Sequence, residues 1–98
     1  MSLAEQAFEI EVEIMNAQGL HMRPAMQFVD IASRYSATIT VSNGDTDVDA
    51  KSIMQMTMLA ATCGTRLKVK AEGDDAEKAL EELRELVEVR MFDEAPTA

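Results

Sequence analysis

In Phe8-Glu9-Ile10-Glu11-Val12-Glu13-Ile14 the apolar residues fall on one side and three glutamates on the other. A period of two predicts a half-buried β-strand. The alternation returns in residues 38–42 and 46–50, and again in 66–71, where Arg66, Lys68 and Lys70 take the polar side. Asn43-Gly44, between the two middle runs, predicts a tight hairpin turn, because both residues readily supply positive φ. Elsewhere the period changes. Ala25, Phe28, Val29 and Ala32 recur at steps of three and four, as do Ala76, Ala79, Leu80, Leu83 and Val87, which predicts two amphipathic helices. Pro24 suits the first turn of one, and Gly73-Asp74-Asp75 offers a turn and acidic capping groups before the other. A shorter helix is expected from residue 53 to about 61, with Gly64 ending it in a left-handed conformation.

The order βαββαβα buries every apolar stripe if a four-stranded antiparallel sheet is covered on one face by three helices. The expected architecture is an α+β open-faced sandwich. Glu9, Glu11 and Glu13 complement Arg66, Lys68 and Lys70 in number and spacing, so the first and fourth strands should be neighbours. Each such exposed pair contributes only about 0.2–1 kcal/mol, enough to favour a register without holding the fold.

Ninety-eight residues, 47% of them hydrophobic, suit one domain over residues 1–98, with a core from about 8 to 90 and frayed ends. No repeat or internal linker divides them. Nine basic against 18 acidic residues give a net charge of −9, which repels nucleic-acid backbones and anionic lipid heads. Residues 54–63 form the longest weakly polar run, far short of the roughly 20 needed for membrane insertion, and residues 1–6 lack the pattern of a secretory signal. A single cysteine, Cys63, rules out an internal disulfide and a thiolate metal cluster. It is expected to be a small buried hydrophobe in a cytoplasmic protein. Residues 93–98 have no apolar periodicity and are expected to fray.

His21, the sole histidine, lies in Gly19-Leu20-His21-Met22-Arg23-Pro24-Ala25, where the loop after the first strand becomes a helix. Unpaired N–H groups and the positive end of the helix dipole favour an anion there, and Arg23 adds a charged donor. Imidazole keeps a nucleophilic nitrogen near neutral pH, and a phosphoryl group held on it remains transferable. On local physics alone, a lone histidine at a helix start is more often a cap or a surface residue. Ser52 is a second candidate, although Ser52-Ile53-Met54-Gln55 also reads as a plain capping box.

Three ordered blocks alter that balance: 16-NAQGLHMRPA-25, 51-KSIM-54 and 71-AEGDDAEKAL-80. Together they resemble the HPr family, the phosphocarriers of the phosphoenolpyruvate-dependent phosphotransferase system, over about residues 8–89. The resemblance implies sheet order 1-4-2-3, in agreement with the charge argument. It implies that His21 accepts a phosphoryl group from phosphorylated enzyme I and donates it to an EIIA-type protein. Nδ1 would carry the group, Arg23 would steady it, and the backbone N–H groups of Met22 and Arg23 would complete the cradle. Ser52 matches the regulatory serine of the HPr kinase/phosphorylase, whose phosphorylation would place negative charge on the docking surface.

Met22, Met26, Ile53, Met54 and Gln55 are the expected partner interface, since a methionine-rich patch adapts to several partners. Against the commoner family pattern, Met22 replaces a small residue and Gln55 stands where glycine or lysine is frequent. The first helix offers Asp30, and only Arg34 besides Arg23, where many members carry lysines. A nitrogen-related or Ser52-controlled regulatory paralogue is one alternative, and a ferredoxin-like ligand-binding module is another. No Walker loop, metal-ligand cluster or second histidine supports autonomous catalysis, and no cofactor or metal is expected. A monomer suits a shuttle whose histidine must meet successive partners.

Overall fold

The computed structural model describes residues 7–94. Strand β1 (Ala7–Glu13) leads to helix α1 (Met22–Ala32), hairpin strands β2 (Thr38–Ser42) and β3 (Asp47–Asp49), and helix α2 (Ile53–Met58). Strand β4 (Arg66–Glu72) and helix α3 (Ala76–Arg84) follow; a π-helical turn (Glu85–Val89) and a short last turn (Met91–Asp93) complete the chain to Glu94. The four strands form one antiparallel sheet in the order β1-β4-β2-β3, and the helices cover one face.

The predicted charge ladder lines up in the β1–β4 register. Glu9 stands opposite Lys70, Glu11 opposite Lys68 and Glu13 opposite Arg66. One of these pairs closes to an ion pair, Arg66 Nε to Glu13 Oε1 at 3.9 Å; the others remain solvated neighbours, as expected of exposed charges. On the opposite face Val12, Ile39, Val41, Leu67, Val69 and Ala71 are buried against Phe28 and Ile31 of α1 and Leu80 and Leu83 of α3.

Local chemistry differs from expectation in five places. The β2–β3 turn is a four-residue loop: Ser42 pairs with Asp47, and only Gly44 takes positive φ (100°). Asn43 contributes its side chain instead, Oδ1 accepting from the N–H groups of Asp45 (2.9 Å) and Thr46 (2.8 Å). Helix α2 stops at Met58. Ala60 takes the left-handed conformation after it (φ 49°), and Gly64 belongs to the turn into β4, its N–H donating to Ile14 O at 2.7 Å.

The third difference is at Asp75, which begins α3 without capping it. Its carboxylate accepts from the backbone N–H groups of Ser36 (2.7 Å) and Ala37 (2.9 Å), joining the α1–β2 loop to α3. The Ser36 bond chiefly holds the Asp75 carboxyl below its ordinary value, against a smaller opposing effect of desolvation. Cys63 is exposed, not buried, with Sγ 3.7 Å from Met15 O; it sits in the α2–β4 turn, outside the core. Finally, Asp93 and Glu94 do not fray. Phe92 is completely buried and draws this turn onto the body of the protein. The other residues expected to fray, 1–6 and 95–98, lie outside the described residues.

Candidate functional site

The loop from β1 to α1 is built around buried Asn16. Gly19 N–H donates to Asn16 O at 3.1 Å, and Asn16 Nδ2 donates to Gly19 O at 2.7 Å. Leu20 N–H then donates to Ala61 O at 2.8 Å, fixing the loop to the α2–β4 connection. Gly19 is needed at this crossing. Its φ is +71°, and a Cβ there would lie 2.4 Å from Ala61 O. With the loop held on both sides, His21 falls at the residue before the first turn of α1.

His21 has extended backbone (φ −79°, ψ −172°) and its side chain makes no capping bond. Its carbonyl accepts from Ala25 N–H at 3.0 Å, so it starts the helix through its backbone. Met22 and Arg23 supply first-turn N–H groups that have no acceptor within a helix. Pro24, buried in the same turn, has no N–H to leave unpaired.

The imidazole is held by a residue the sequence analysis expected to fray. His21 Nε2 lies 2.5 Å from Glu94 Oε2. Arg23 Nη2 donates to the same oxygen at 2.7 Å, and Asn16 Nδ2 donates to Glu94 Oε1 at 2.8 Å. Arg23 Nη1 also reaches Phe92 O at 3.3 Å. Burial pushes the Glu94 carboxyl up, but hydrogen bonds from Asn16 and His21 and the charges of His21 and Arg23 outweigh it and hold the carboxyl below its ordinary value. Glu94 and Asn16 were missed in the sequence because neither belongs to a periodic face; the nearest signal was Phe92, an aromatic residue in a polar tail.

Ser52 caps α2 as the capping box predicts, its Oγ accepting from Gln55 N–H at 3.3 Å. The reciprocal half of the box is absent. Gln55 Oε1 accepts from Asp49 N–H at 2.9 Å, bracing the end of β3. Met22, Met26, Ile53 and Met54 meet with Val29 and Thr57 along an apolar groove between α1 and α2. Met22, Met26 and Met54 are 57%, 56% and 77% exposed. Gln55 does not line that groove. No group of His, Cys, Asp and Glu residues able to hold a metal ion occurs among the described residues, nor does a helix long and apolar enough to cross a membrane.

Residues 8–89 match the family model for the PTS HPr component phosphorylation site. The phosphocarrier protein HPr of Pseudomonas aeruginosa is 45% identical over 86 residues, covering 87% of this chain and 94% of the relative. The phosphocarrier protein HPr of Haemophilus influenzae is 44% identical over 77 residues, covering 79% and 91%. A crystal structure of HPr-C-His from Thermoanaerobacter tengcongensis superimposes with a TM-score of 0.85 at 43% identity, covering 90% of this chain and 98% of that one.

Proposed function

The chain belongs to the HPr family of phosphocarrier proteins, and on that premise we propose that His21 is the residue through which it relays phosphoryl groups. The observation that carries the reading is the asymmetry of the imidazole. Nε2 is bound by Glu94, whereas Nδ1 has no hydrogen-bond partner among the described residues and belongs to a side chain that leaves its helix start uncapped.

Enzyme I is the donor in this reading and an EIIA-type protein the acceptor. The Nδ1 lone pair forms the N–P bond as the donor's bond to phosphorus breaks, and the electron pair of that bond leaves with the donor. The N–H groups of Met22 and Arg23 receive the phosphoryl oxygens at the positive end of α1. The Arg23 guanidinium, 53% exposed, reaches them by releasing Glu94. Transfer to the acceptor reverses the same steps. The protein supplies placement and charge and needs no metal or cofactor of its own.

The groove flanked by Met22, Met26, Ile53 and Met54 is the docking surface in this scheme, and Gln55, bonded to Asp49, stands outside it. Ser52, at the α2 end of the groove, is the site through which an HPr kinase/phosphorylase would add negative charge and weaken docking. A soluble cytoplasmic monomer fits such a shuttle. The test is intact-mass measurement after incubation with enzyme I and phosphoenolpyruvate. One acid-labile phosphoryl adduct is expected on the wild type and none on His21→Ala. An equal adduct on His21→Ala would refute the assignment. Ser52→Asp should accept phosphate more slowly, and a wild-type rate would count against regulation at Ser52.

A further inference from the structure

Glu94 stands five residues beyond Val89, where the family match ends, yet it is among the most heavily bonded side chains at the site. Its carboxylate receives Asn16 Nδ2, His21 Nε2 and Arg23 Nη2, and the side chain is only 13% exposed. The backbone that delivers it is strained. Met91, Phe92 and Asp93 have φ values of 48°, 56° and 59°, three successive left-handed residues of which none is glycine. Such a conformation persists only where the surroundings over-determine it. Buried Phe92 provides one constraint. Arg90 provides a second by donating to both Asp93 oxygens, at 3.1 and 2.6 Å, and Arg23 provides a third through Phe92 O.

A carboxylate can only accept hydrogen bonds, and the three donors keep Glu94 ionised near neutral pH. The proton between His21 and Glu94 therefore belongs to Nε2, which leaves the lone pair on Nδ1. We propose that Glu94 is a positioning residue for phosphoryl transfer, holding His21 in the Nε2–H tautomer and balancing the positive charge that the ring gains when Nδ1 binds phosphorus. The inference rests on the reading of His21 as phosphoryl acceptor. During transfer the Nδ1 lone pair becomes the N–P bond, the donor keeps the electrons of the broken bond, and the Nε2 proton stays in place against Glu94 Oε2. A carboxylate behind a reacting histidine plays the same physical part in other transfer sites, fixing the tautomer and ring direction and raising basicity.

The experiment compares full-length wild type, Glu94→Gln and Glu94→Ala by two readouts. The first is the ¹⁵N spectrum of the His21 ring above neutral pH. Wild type should show protonated Nε2 and unprotonated Nδ1, and Glu94→Ala should move toward the tautomer mixture of a free imidazole. The second is the rate of phosphoryl acceptance from phosphorylated enzyme I, expected to fall about 10- to 100-fold in Glu94→Ala. Glu94→Gln keeps the size of the side chain and should fall between, which separates lost charge from lost packing should Glu94→Ala fold poorly. An unchanged tautomer, an unchanged rate, or a faster rate would overturn the proposal; a faster rate would mean that Glu94 competes with phosphate for Arg23. A wild type that gains no phosphate on His21 would overturn the underlying reading as well, and would be seen before any Glu94 variant is compared.

Discussion

At the start of α2, Ser52 turns its hydroxyl inward and accepts from Gln55 N–H. At the start of α1, His21 leaves its own helix uncapped and turns its ring toward Glu94. The first arrangement satisfies the helix and stabilises a local joint. The second leaves first-turn donors unfilled and orients an imidazole beside them, so the same position in two helices serves as a brace in one and, in the proposed relay, as the reacting group in the other. The difference originates outside the helices. The start of α1 is seated against Ala61 through Gly19 and Leu20, and the direction of the His21 ring comes from a residue at the far end of the described chain.

The largest effect on this contrast should come from Gly19→Ala. The added Cβ meets Ala61 O, and a left-handed alanine is strained, so a loss of about 2–4 kcal/mol is expected. That corresponds to a fall in Tm of roughly 10 °C or more. Gly64→Ala is the matched control, because an added Cβ there meets nothing within 4 Å; only the backbone cost of about 1–2 kcal/mol should remain. Equal losses at the two glycines, measured by thermal denaturation, would show that the crossing at Ala61 is not what seats the start of α1.

A smaller effect is expected at α2. Ser52→Ala should cost about 1 kcal/mol as the cap is lost, lowering Tm by about 4–8 °C, while His21 still accepts phosphate. If the alanine variant were as stable as wild type, Ser52 would not be the brace described above.

The mildest perturbation is acidification. The Glu94 carboxyl titrates below its ordinary value of 4.5 in the folded protein, so its contribution is complete above 4.5 and is lost as pH falls through the lower folded value. Wild type should therefore exceed Glu94→Gln in urea resistance at pH 7, and the gap should close at acid pH. A gap that is constant with pH would assign the difference to packing instead of charge.

The sheet and its order were legible in the sequence because they rest on period-two alternation and on charges spaced to face one another, as the pairing of Glu11 with Lys68 illustrates. The place of His21 at the start of α1 and the Ser52 cap were legible because each sits in a short stretch with its own local chemistry, whereas the roles proposed for His21 and Arg23 rest on the family resemblance. Glu94 was not, since its position depends on buried Phe92 and on a left-handed backbone for which Met91, Phe92 and Asp93 have no intrinsic preference. Cys63 was misread for a related reason: a small apolar type favours burial on average, but the turn holding it lies beyond the reach of the core. Gln55 kept its predicted exposure yet bonded to β3, accepting from Asp49 N–H, because the amide of Ser52 already donates to Asp49 O at 3.1 Å.

The π turn at Glu85–Val89 works as a register pin. It contains one residue more than an α-helix would need to cover the same path, with Arg90 N–H reaching back to Glu85 O at 2.8 Å. If the same residues wound as an ordinary α-helix, the extra residue would be carried forward and everything that follows would rotate by about 100°. Phe92 would then swing off the core and carry Glu94 away from His21, while all four strands and α1 to α3 stayed in place. Whether the end of the chain reaches the site is thus decided by how one residue is accommodated in the turn at Glu85–Val89, before the site's own residues are reached.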